Sequence, residues 1–153
     1  MKAEYINPFI KASTEVLKTI ANLTFTTGAP YLKSSPFGTD SLIILVGITG
    51  EMRGQAVISM DTAMAKNVAS SMMMGMPVDE IDEMAKSALS ELGNMIMGNT
   101  ATLLFNNGVN IDITPPTLMI GTDIQISSGD MRTIGVPLSC DMGKITIDIS
   151  VKD

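Results

Sequence analysis

Between Asp79 and Asn107 the chain carries no proline and repeats apolar residues at helical spacing. Ile81, Met84, Ala85, Ala88, Leu89, Leu92, Met95, Ile96 and Leu103 fall into one broad stripe. The pattern predicts a single long helix from Asp79 or Glu80 to Asn106 or Asn107, closed by "NNG". Around it the periodicity changes. "SLIILVGIT" and "RGQAVISMD" read as two strands joined at "TGEMRG", a short glycine-bearing connection that favours a hairpin. "MRTIGVPLSCD" and "GKITIDISVK" alternate around a turn at "DMGK", and "VNIDITPPTLMIG" supplies one or two short strands broken by Pro115 and Pro116.

Two further helices are expected. In "INPFIKASTEVLKTIAN", Asn7 is placed as a cap with Pro8 at the first helical position. "TAMAKNVASSMMMG" follows Asp61, a candidate cap, and ends at Gly75 and Pro77. The stretch "TTGAPYLKSSPFGTD" is turn-rich and reads as a loop with a short extended piece. The order αββααβββ with hairpin connections predicts an α+β fold, three helices on a mostly antiparallel sheet, in one domain over residues 1–153.

Composition narrows the chemistry. There is no histidine among the 153 residues, so Ser-His-Asp and Cys-His triads and histidine metal sites are excluded within this chain. Sixteen acidic against ten basic residues give a net charge of −6, which disfavours nucleic acid or an anionic membrane as the main partner. One cysteine, Cys140, cannot form an internal disulfide and fits a reducing compartment. "MKAEYINPFIK" lacks the apolar core of a signal peptide, and "LIILVGI" is too short to span a bilayer. The expectation is a soluble cytoplasmic protein whose core is aliphatic and rich in methionine.

The polar side of the long helix holds the candidate site. With Glu91 set at 0° and about 100° per residue, Ser87 falls at about 320°, Asn94 at about 300° and Gly98 at about 340°. The apolar stripe centres at about 100° on the same wheel. From spacing alone this strip reads first as a solvated helix face and second as a surface built for contact. Gly93 and Gly98 favour the second reading, because each costs about 1 kcal/mol against alanine inside a helix.

Other clusters carry less. Gly47, Gly50 and Gly54 lack the order of a phosphate loop and belong to a hairpin. Met72, Met73, Met74 and Met76 read as core packing before a soft partner surface, with Met74 the member expected to be exposed. Asp79, Glu80, Asp82 and Glu83 fit a helix N-terminus, and their spacing does not define a metal site. Cys140 reads as a small buried hydrophobe in a strand.

Ser87-x3-Glu91-x2-Asn94, followed after 21 residues by Pro116, resembles the signature of the CheC/CheX chemotaxis phosphatases. "ELGNM", "VNIDITPPT" and "GITGEMRG" extend the likeness over nearly the whole chain. One helix alone carries the motif, since Glu15 and Asn22 in the first helix lack the required spacing. That places the chain in the CheX branch rather than among the double-site members.

The resemblance implies a CheC-like fold and removal of the phosphoryl group from the aspartate of a CheY-like response regulator. It implies Asn94 orienting the attacking water and Glu91 anchoring a lysine of the receiver. Ser87, Gly98 and Pro116 would shape the docking site, and the Mg²⁺ would belong to the receiver, with no cofactor or metal bound by this chain. A homodimer joined by strand pairing is also implied. Two alternatives stay open: a non-catalytic binding module for a receiver or a flagellar-motor component, and a structural dimer whose polar strip faces solvent.

Overall fold

The computed structural model describes residues 2–152. Three helices pack on one face of an antiparallel sheet. Helix α1 is Ala3–Ala21, α2 is Thr62–Met72 and α3 is Glu83–Asn106. The long strands are β4 (Leu42–Gly50), β5 (Arg53–Met60), β9 (Arg132–Cys140) and β10 (Gly143–Lys152). Shorter ones are β1 (Thr26–Thr27), β2 (Tyr31–Lys33), β3 (Phe37–Gly38), β6 (Ile111–Ile113), β7 (Thr117–Ile120) and β8 (Gln125–Ile126).

The main sheet runs β1-β9-β10-β5-β4-β6, with β2 also on β9 and β7 also on β4. Every pairing is antiparallel. The two expected hairpins are present: β4 turns into β5 through Glu51 and Met52, and β9 turns into β10 through Asp141 and Met142. The turn-rich stretch before β4 is more structured than its composition suggests, because β1 and β2 both find ladder partners on β9.

Strand alternation divides the interior in two. Leu42, Ile44, Val46 and Ile48 of β4, with Ile145, Ile147 and Ile149 of β10, face the helices and form the main core with them. The opposite face buries Ile43 and Val57 beneath Phe37 and Ile126 of the separate β3–β8 ribbon. Asp148, Thr133 and Ser150 are also buried away from solvent, and Thr133 Oγ1 lies 2.7 Å from Ser150 Oγ.

Three sequence expectations need correction. Helix α1 begins at Ala3, not at Pro8, and Pro8 sits inside it. Burial of Ile6 and Phe9 in the core extends the helix past a residue that cannot donate to the ladder. Helix α3 begins at Glu83, three or four residues after the expected Asp79 or Glu80, because the Asp82 carboxylate accepts from Ala85 N–H at 2.9 Å and fixes the start there. Its buried members are Ala85, Leu89, Leu92, Gly93, Ile96, Met97, Thr100 and Leu104, which centre at about 170° from Glu91 rather than about 100°. Met84, assigned to the core by spacing, is 58% exposed. Buried Met97 and Leu104, which the expected stripe left out, lie at about 240° and about 220°, and with the exposure of Met84 they move the centre of the packed face.

Candidate functional site on the outer face of α3

Helix α3 is held from below. Gly93 meets the sheet so closely that a Cβ there would lie 2.6 Å from Ile44 Cγ2 and 3.5 Å from Pro116 Cβ. Ile44 is fully buried in the middle of β4, so the contact cannot relax outward. Thr100 donates to Ile96 O at 2.7 Å, which satisfies a hydroxyl buried on the same face. The helix axis is therefore fixed against β4, and the opposite side of the helix is fixed with it.

Ser87, Glu91 and Asn94 all lie on that opposite side and are exposed. Glu91 and Asn94 are three residues apart, separated by about 4.5 Å along the axis and about 60° around it. None of the three side chains has a hydrogen-bond or ion-pair partner among the described residues. Gly98 continues the strip, and a Cβ there would have no atom within 4 Å apart from its own helix. The two glycines thus differ in kind: Gly93 is required by internal packing, and Gly98 is not.

Pro116 does not share the strip. It lies between β6 and β7, half-buried on the flank of α3 against Gly93, about 100° around the helix from Asn94. Its spacing from the motif therefore records a packing contact that seats the helix. That contact was foreshadowed in the sequence only by the unexplained Gly93.

The acidic cluster is dispersed. Asp82 caps α3, Glu83 lies 3.4 Å from Lys86, and Asp79 and Glu80 stand exposed in the loop before the helix. No group of three or more carboxylate or thiol side chains that could hold a metal is found among the described residues. Met74 is 98% exposed, as its position suggested, while Met72 packs against the core. Cys140 is half-buried at the end of β9, less enclosed than its strand pattern implied. No described helix is long and apolar enough to cross a membrane.

What the strip can do follows from its groups. An exposed amide can accept a water hydrogen and donate elsewhere at once, without titrating. An exposed carboxylate one turn away, with no cation of its own, is available for a cation on an approaching surface. The helix that carries both is rigid, so the pair keeps its spacing as it is pressed against a partner.

Comparison with known proteins bears on the fold and the family. The sequence pattern of the family described as chemotaxis phosphatase CheX matches residues 42–139. The CheY-P phosphatase CheX of Thermotoga maritima is 38% identical over 128 residues, covering 84% of this chain and 83% of that protein. Among solved structures, a CheC-like superfamily protein from Shewanella sp. PV-4 superposes with a TM-score of 0.91 at 28% identity over 100% of both chains. CheX from Borrelia burgdorferi, solved as a CheX-CheY-BeF3-Mg²⁺ complex, superposes with a TM-score of 0.84 at 32% identity, covering 97% of this chain and 98% of that one. Fold and site together define a CheC-like chemotaxis phosphatase. Within that class, the chain belongs to the CheX family.

Proposed function

We propose that this chain hydrolyses the phosphoaspartate of a CheY-like response regulator, with Asn94 orienting the attacking water and Glu91 anchoring a lysine of the receiver. The observation that carries the reading is the unpartnered Glu91–Asn94 pair on the outer face of a rigid helix. Support comes from the Thermotoga relative, named a CheY-P phosphatase, and from the Borrelia relative, solved with CheY, BeF3 and Mg²⁺.

Phosphoryl transfer needs positioning and charge stabilisation more than covalent help. An amide carbonyl that accepts from one water hydrogen directs the water's lone pair toward phosphorus, in line with the leaving aspartate oxygen. A carboxylate brought near a phosphoryl group is repelled unless it meets a cation first, and a receiver lysine meets that need. The Mg²⁺ is the receiver's, and this chain adds no cofactor. Gly98 leaves clearance for the receiver's loops, Pro116 seats the helix, and Ser87 borders the docking face.

The protein acts in the cytoplasm as a homodimer in this reading. Both edges of the main sheet support a self-association: Leu32 on β2 and Ile120 on β7 are exposed large hydrophobes beside unpaired strand backbone. The activity is tested by charging candidate receivers from the same genome with acetyl phosphate and following phosphate release. Acceleration that disappears in Asn94→Ala supports the assignment. Partner binding that survives Asn94→Ala, with no acceleration by the wild type, would instead indicate a non-catalytic module.

A further inference from the structure

Two exposed methionines, Met76 and Met84, adjoin the polar strip and have no role in the chemistry above. The loop from α2 to α3 and the first turn of α3 enclose a mixed groove of about 400 Å³, lined by Met76, Val78 and Met84 together with Asp79, Glu80 and Asp82. Met84 is 58% exposed and Met76 53% exposed. Met84 lies within about 20° of Glu91 around the helix, so it points to the same side as the Glu91–Asn94 pair.

We propose that Met84 and Met76 are the apolar docking contact for the same phosphorylated receiver, an inference that rests on the function proposed above. Reach selects the occupant. A typical specific interface covers about 800 Å² on each partner, a disc of about 16 Å radius. Centred on the Glu91–Asn94 pair, that disc includes Met84, at about 13 Å along the axis, and excludes Phe105, at about 19 Å. A receiver seated on Asn94 therefore covers Met84 and leaves Phe105, which is 65% exposed, in solvent.

The chemistry of the groove describes the surface it accepts. Methionine side chains are flexible and polarisable and adapt to a bulky apolar group. Asp79 and Glu80 have no ion-pair partner among the described residues and disfavour an acidic neighbour. The complementary surface is an aliphatic or aromatic side chain flanked by lysine or arginine, presented by the receiver beside its phosphorylation site.

The test separates docking from chemistry. Steady-state phosphate release is measured for the wild type, Met84→Gln, Met76→Gln, the double variant, Phe105→Gln and Asn94→Ala. The double variant is expected to raise KM about tenfold, with kcat changed less than twofold. Phe105→Gln leaves KM unchanged. A double variant whose KM stays within twofold of the wild type overturns the proposal. A lowered sedimenting mass with KM unchanged also overturns it, because a second copy of this chain would then be the occupant. If the double variant melts early, binding of a BeF3-charged receiver to the single variants decides, and unchanged affinity in both counts against docking here. Loss of kcat in Asn94→Ala with no effect of the methionine variants sinks this inference alone. A wild type without acceleration sinks the functional reading and this one with it.

Discussion

Gly93 and Gly98 sit five residues apart on one helix and answer to different neighbours. Alanine at Gly93 would drive its Cβ to 2.6 Å from a buried Ile44 methyl, an overpacking that costs about 1–3 kcal/mol. Alanine at Gly98 meets open space and gains helix propensity, about 0.5–1 kcal/mol. Urea unfolding should therefore move the two midpoints in opposite directions. If Gly98 is a clearance for the receiver, the stabilised Gly98→Ala protein should also release phosphate more slowly. A second residue-scale pair lies across the sheet, where Lys33 Nζ approaches buried Asp148 Oδ1 at 2.8 Å. Burial pushes the Asp148 carboxyl above its ordinary value; the hydrogen bond and charge of Lys33 pull it back, and the charge of Asp40 adds a smaller upward push. A raised carboxyl binds its proton more tightly in the native state. Its contribution is then fully present below the unfolded-state value, about pH 4, and is lost as pH rises through the folded value. Lys33→Met removes the compensating cation and leaves a buried carboxylate unpaired at pH 7, at a cost of about 3–5 kcal/mol. The difference from wild type should shrink as the pH approaches 4, which unfolding midpoints at the two pH values would measure.

At the scale of the element, α3 shows why some of the site was legible in the sequence. Glu91, Asn94 and Ser87 fell on one polar face because helical periodicity is local and needs no knowledge of the sheet. The orientation of the packed face was not local. It is set by Gly93 against Ile44 and by the burial of Met97, Thr100 and Leu104, which the expected stripe left out while it counted the exposed Met84. Phe105 lies at about 320°, in line with Ser87, and the same wheel could have flagged its exposure. The start of α3 was blurred by four acids in five positions, of which Asp82 alone accepts the cap hydrogen bond. Asp82→Ala should lower stability by about 1 kcal/mol, read from a thermal or urea melt, whereas Asp79→Ala should leave it within error. Pro8 carries the opposite lesson: its chemistry argued for a helix start, and burial of Ile6 and Phe9 outweighed the missing hydrogen bond.

Across the whole molecule, the α+β class and both long hairpins followed from alternation and turn chemistry. The merging of β1 and β2 onto β9 did not, because two- and three-residue strands have no periodicity to detect. The packing of Pro116 beside Gly93 is likewise a contact between elements that sequence spacing can mark but not explain. The proposed homodimer belongs to this scale. Sedimentation should give twice the chain mass, and either Leu32→Lys or Ile120→Lys should return it to the monomer, according to which sheet edge is covered. A wild type that sediments as a monomer at micromolar concentration would remove the dimer from the account. The most direct test of the central claim is phosphate release from an acetyl-phosphate-charged cognate receiver, with wild-type protein and Asn94→Ala side by side. The account predicts acceleration by the wild type and its near-complete loss in Asn94→Ala, whose unfolding midpoint should be no lower than that of the wild type, because the side chain is exposed and alanine favours a helix. Equal acceleration by both proteins would contradict it.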